Sequence, residues 1–195
     1  MAEALAFTLA VGVYVWFLRA HAQWSLLVLA ALVLASFVWH AETIDSLGLS
    51  GRVFVHAIAA RRWSLTACIT VVVILSWMRE TLEHSVSRWL LYFSFCILQQ
   101  FLFQNMVYRR LRAATGPSWR TSICAGILFA AIHLPNPILV PATFLWGTVS
   151  TRLFESRPSI PYLALWQALL SPLLYWLAPI ALHHRFRVGP GYWTW

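Results

Sequence analysis

The 195-residue chain is 61% apolar and only 10% charged, with a mean hydropathy of +0.71. Soluble domains of this size carry about 25% charged residues, so the composition describes an integral membrane protein and leaves no room for a second, soluble domain. Net charge is +8, yet all fourteen basic residues are arginine and they fall between apolar runs, which is a topology signal and excludes a nucleic-acid-binding face.

In chain order, the first apolar run is Ala4–Leu18. The Ala20-His21-Ala22 triplet that follows faintly resembles a cleavage site, but Glu3, Trp16, Phe17 and Arg19 do not suit a secretory leader, and the run reads as a retained helix. A second run, Ala22–His40, leads to Ala41–Arg62, a polar stretch with two glycines that fits an interfacial amphipathic element and a cytoplasmic loop equally. Five more runs follow: Trp63–Met78, Val86–Tyr108, Trp119–His133, Leu139–Leu153 and Ile160–Leu182. The expected fold is an all-α, polytopic transmembrane helix bundle of about seven segments, several of them shorter than the ~20 residues that cross a bilayer upright. Residues 1–62 form its N-terminal helices and interfacial loop, and residues 63–195 its core.

Orientation comes from the arginines. With the N-terminus inside, nine are cytoplasmic (Arg52, Arg61, Arg62, Arg109, Arg110, Arg112, Arg120, Arg152 and Arg157) and five lie opposite (Arg19, Arg79, Arg88, Arg185 and Arg187). That bias favours a cytoplasmic N-terminus and a C-terminus on the other side. Tryptophans near segment ends (Trp39, Trp63, Trp77, Trp89, Trp119, Trp193 and Trp195) suit interfacial anchoring. Cys68, Cys96 and Cys124 lie in apolar runs without metal or disulfide spacing and read as buried packing residues.

Polar residues inside the apolar runs carry the functional information. The stretch "LQQFLFQNMVYRRL" holds four amides, Gln99, Gln100, Gln104 and Asn105, with Gln100 and Gln104 one helical turn apart on one face. "FAAIHLPNP" ends an apolar run on His133, with Asn136 between two prolines, and "LWQALLSP" sets Gln167 and Ser171 four apart. Polar groups in membrane segments usually face the bundle interior. The set can therefore converge on one site, or each can serve as interhelical hydrogen-bond glue worth ~0.6–2 kcal/mol. His133 alone could also cap a helix end.

Their order resembles the CPBP (Abi, CAAX prenyl endopeptidase-like) family of intramembrane metalloproteases, over about Arg88–Trp176. Gln99 and Gln100 stand at the paired glutamates of that family's first motif, Phe103 at its aromatic, Gln104 at its arginine, and Tyr108-Arg109-Arg110-Leu111 at its basic end. Phe129 to His133 keeps the second motif, Phe-x-x-x-His, while Gln167 and Ser171 align with the third, His-x-x-x-Asn. The "LGL" at Leu47–Leu49 resembles the tract before the family core.

The resemblance implies a zinc-dependent peptidase whose first glutamate activates water and whose histidines and asparagine surround the metal. Here the glutamates and one histidine are replaced. A neutral amide cannot take up a proton as a general base, and zinc wants about three imidazole, carboxylate or thiolate ligands. The expectation is thus a proteolytically inactive binding or structural subunit of a membrane assembly, with no cofactor, set in the lipid bilayer beside other membrane subunits or a hydrophobic lipid ligand. An active, zinc-dependent endopeptidase that recruits His84, His183 or a peripheral glutamate (Glu80, Glu83 or Glu155) is the first alternative. A membrane enzyme acting on an isoprenoid or pigment, with His133 as proton carrier, is the second.

Overall fold

The structure is a computed structural model that describes residues 1–19, 21–22, 24–78 and 85–194. Its regular elements are all helical: α1 (Ala2–Val13, continued by a π-helical turn over Tyr14–Leu18), α2 (Ser25–Trp39), α3 (Gly51–Ala60), α4 (Arg62–Met78) and α5 (Ser85–Leu102). A π-helical segment, Phe103–Tyr108, joins α5 without a break to α6 (Arg109–Thr115). Then come α7 (Trp119–Ala131), α8 (Leu139–Ser156), α9 (Ile160–Leu177) and the short α10 (Ile180–His183), followed by two 3-10 turns.

Each of the seven expected apolar runs coincides with a helix, but not with seven helices able to cross a membrane. Among the described residues, two helices are long and apolar enough to cross a membrane, Ser87–Thr115 and Ile160–Leu177, and α3 with α4, bent by 79°, makes a third if the pair is one broken span. The polar stretch after α2 resolves into a short loop and the amphipathic α3, with only Ala57 fully buried.

Three local corrections follow. The connection between the Val86–Tyr108 and Trp119–His133 runs is mostly helix, because the chain continues from α5 through α6 and turns only at Gly116, whose φ of +76° suits glycine. The last segment stops at Leu177, where Ala178 turns extended ahead of Pro179. Of the cysteines, Cys96 is buried but Cys124 is exposed on α7. Arg79, Glu80, Glu83, His84, Ala20 and Trp195 lie outside the described residues.

Packing is polar inside and apolar outside. Gln100, Gln104, Asn105, Ser122, Ser150 and Thr151 are fully buried, while Leu27, Leu91 and Leu177 are 73%, 76% and 78% exposed. Water would punish that arrangement, whereas lipid accepts apolar side chains and demands that polar groups be satisfied within the protein. The closest helix pair is α7 with α8. A Cβ on Gly126 would meet the Phe144 carbonyl at 2.8 Å, and one on Gly147 would meet the Gly126 Cα at 3.0 Å, so both glycines set the approach. α5 packs along α9, and α1 lies over the π-helical segment.

The N-terminal elements are tied to this core by charge and by one glycine. Glu42 bonds Arg109 at 2.7 Å and Arg110 at 3.0 Å, and Glu3 reaches Arg110 at 3.3 Å and His40 at 3.1 Å. These two arginines are thus committed to ion pairs. The "LGL" tract plugs onto the core: Gly48, at φ +77°, accepts a hydrogen bond from the Ile160 amide at 2.8 Å, and Asn105 donates to the Leu47 carbonyl at 3.2 Å.

Candidate functional site

An open cavity of about 890 Å3 lies between α1, α2, α5, α7, α8 and α9. Gln99, His133, Gln167 and Ser171 all line it, together with Tyr92, Phe103, Phe129 and Trp146. The fourth, fifth and seventh runs of the sequence therefore do bring polar groups to one interior, four of the six candidate residues directly.

Gln100 and Gln104 sit behind that wall. Gln167 holds the wall and the second layer together: its Nε2 donates to Gln99 Oε1 at 2.5 Å, and its Oε1 accepts from Gln100 Nε2 at 2.6 Å and Trp146 Nε1 at 3.2 Å. Gln104 Nε2 in turn donates to Gln100 Oε1 at 3.1 Å and to Ser150 Oγ at 3.2 Å. Ser171 donates to the Gln167 carbonyl at 2.8 Å and accepts from the Tyr92 hydroxyl at 2.8 Å. The result is a continuous amide chain across α5, α8 and α9. Asn105 and Asn136 do other work. Asn105 anchors the Leu47 loop and Arg109, while Asn136 accepts from the Ile138 and Leu139 amides at the start of α8 and donates to the His183 and Arg187 carbonyls.

His133 is set by the end of α7. Its Nδ1 lies 2.7 Å from the Phe129 carbonyl, one turn back, and its ring meets the Phe129 ring edge-on at 4.9 Å. A carbonyl only accepts, so Nδ1 carries the proton and Nε2 keeps its lone pair. This both caps the helix and fixes the tautomer, as backbone partners do for ligand or proton-carrying histidines.

Zinc, which the family resemblance implies, finds a poor match in this donor set. Gln99 Oε1 and Gln167 Oε1 already accept protein hydrogen bonds, His133 supplies one imidazole, and among the described residues no carboxylate lines the cavity. Among the described residues, no three His, Cys, Asp or Glu side chains come together. His183 lies against Tyr175 and Phe186 outside the cavity lining, and Glu155 pairs with Arg152 and Arg112 at the far end of α8.

The sequence reading missed Tyr92, Trp146 and Ser150 as members of the network, and Arg19 as part of the cavity rim. Ser150, polar within an apolar run, carried the signal; Trp146 looked like any other tryptophan of a membrane helix.

Fold and site together define an all-helical, membrane-type protein with an amide-walled interior cavity. Residues 81–173, just under half of the chain, match the family model described as type II CAAX prenyl endopeptidase Rce1-like, which supports the CAAX-protease-like (CPBP) resemblance of that segment. No curated protein and no solved structure matches the chain.

Proposed function

We propose that this chain is a proteolytically silent CAAX-protease-like membrane protein that acts as a binding or structural subunit of a membrane assembly, with its N-terminus cytoplasmic and its C-terminus opposite. The observation that carries this reading is the amide chain Gln99–Gln167–Gln100–Gln104, which occupies the motif positions with neutral groups that hydrogen-bond one another. Amides in those places maintain helix packing, and they supply neither a base nor negative charge for a metal ion. The cavity beside them is a place to hold a ligand or a partner helix.

The test is cleavage of a prenylated peptide by purified protein with zinc supplied. Native chain is expected to show no chelator-sensitive cleavage and no stoichiometric zinc. Gln99→Glu combined with Gln167→His restores a base and a ligand on facing helices and is expected to bind zinc. Gln99→Glu alone places an uncompensated carboxyl in a low-dielectric interior and lowers thermal stability. Chelator-sensitive proteolysis by the native chain sinks the proposal. His133, with its fixed tautomer on the cavity wall, favours as a second reading a single proton carrier acting on an isoprenoid or pigment. Conversion of such a compound by native protein, lost in His133→Ala, would establish it.

A further inference from the structure

The structure assigns to the cavity a single-chain lipid carboxylate, with its headgroup on Arg19 and its hydrocarbon tail along the inner walls. This inference rests on the binding reading above and names the ligand class.

Begin with the walls. The cavity volume of about 890 Å3 falls within the roughly 300–1,000 Å3 of small-molecule sites, and most of its lining is Leu, Phe and Val drawn from every surrounding helix. Its polar floor has little to spare: Gln99, Gln167 and Ser171 bond one another or Tyr92 and Gln100, and His133 adds a single ring nitrogen, Nε2. A floor so paired neither asks for nor offers many hydrogen bonds. A peptide laid there would leave backbone groups without partners, at a cost of several kcal/mol each in an apolar setting, whereas a hydrocarbon tail loses nothing.

The rim differs. Among the described residues, Arg19, exposed at the end of the π-helical turn, is the one arginine on the lining and forms no ion pair. Its place is fixed by neighbours at the same end of the bundle. A Cβ on Gly189 would stand 2.9 Å from Val15, and Gly189 itself donates to the Leu134 carbonyl at 2.8 Å, next to His133. At the other end, the Met1 amine lies 3.5 Å from the Arg110 carbonyl, and α1 with its π-helical turn lines the cavity from Phe7 to the exposed Arg19. One guanidinium matches one carboxylate in charge and in its fork of donors. A diphosphate carries more negative charge than this rim can neutralise.

The experiment is equilibrium binding of palmitate, 1-hexadecanol and hexadecyl phosphate to delipidated full-length protein in mild detergent. Native protein is expected to prefer palmitate over the alcohol by about tenfold, the scale of one charge-assisted contact. Arg19→Gln, a change at an exposed position, is expected to erase that preference and leave alcohol binding unchanged. Ala142→Trp, which fills the cavity from α8, is expected to abolish both. Equal binding of palmitate and alcohol by native protein, an undiminished preference in Arg19→Gln, or tighter binding of hexadecyl phosphate than of palmitate overturns the inference. Proteolysis by the native chain overturns only the silent-subunit reading, and palmitate selectivity would then still stand or fall by Arg19.

Discussion

Glu42 has a side chain only 6% exposed, set between two guanidiniums. Burial pushes its carboxyl up, but hydrogen bonds from Arg109 and Ser46 and the charge of Arg109 outweigh this and hold it below the ordinary 4.5. The folded value lies under the unfolded one, so this stabilisation is complete above the unfolded value and is lost as pH falls through the folded one. Glu3 is shifted the same way: burial raises it, and the Ser36 hydrogen bond and Arg110 charge lower it further. Without Glu42, Arg109 keeps Asn105 and Arg110 keeps Glu3, so Glu42→Gln should destabilise by less than the ~3 kcal/mol of a fully stranded buried charge. Thermal unfolding in detergent, followed from neutral to about pH 3, should then show a shallower acid loss for Glu42→Gln than for native protein. Identical acid profiles would remove Glu42 from the account.

Among the helices, the α7–α8 hairpin positions Phe129 and His133, and its spacing depends on Gly126 and Gly147. Alanine is favoured over glycine in a helix by about 1 kcal/mol, so propensity alone predicts that Gly126→Ala stabilises. Packing reverses the sign, because the added Cβ meets the Phe144 carbonyl at 2.8 Å on a backbone that cannot step aside. Overpacking of this kind costs about 1–3 kcal/mol. Gly12 on α1 is the control, since a Cβ there meets nothing within 4 Å. Gly12→Ala should raise the melting temperature and Gly126→Ala should lower it; a rise in both would show that the hairpin has slack. The same logic explains why Gln100 tolerates full burial: its amide is donor to Gln167 and acceptor from Gln104 at once.

For the molecule as a whole, polar groups inside and leucines outside describe a body dissolved in lipid. The orientation proposed above rests on Arg109, Arg110, Arg112 and Arg120, which flank the Gly116 turn at the end of the bundle that also holds Met1. Arginines near membrane helix ends resist translocation, although two of these four are neutralised locally by Glu3 and Glu42. A reporter fused at Gly116 is expected to be active on the cytoplasmic side. Activity only on the opposite face would invert the bundle and place the Arg19 mouth of the cavity inside.

Composition and the order of polar residues were enough to read a helical membrane protein, the family resemblance that the match over residues 81–173 supports, and the convergence of Gln99, His133, Gln167 and Ser171. These are legible because hydrocarbon penalises polar groups one by one, so each amide in an apolar run announces a partner. Helix continuity past Tyr108, the second-layer place of Gln100 and Gln104, and the pairing of Glu3 and Glu42 with Arg109 and Arg110 were decided by tertiary structure alone. Glu42 and Arg110 are 68 residues apart in the chain, and no periodicity in one helix specifies which distant carboxylate will fold against it. The cavity itself is a property of that packing: it exists in the space that α1 and α2 leave beside the core.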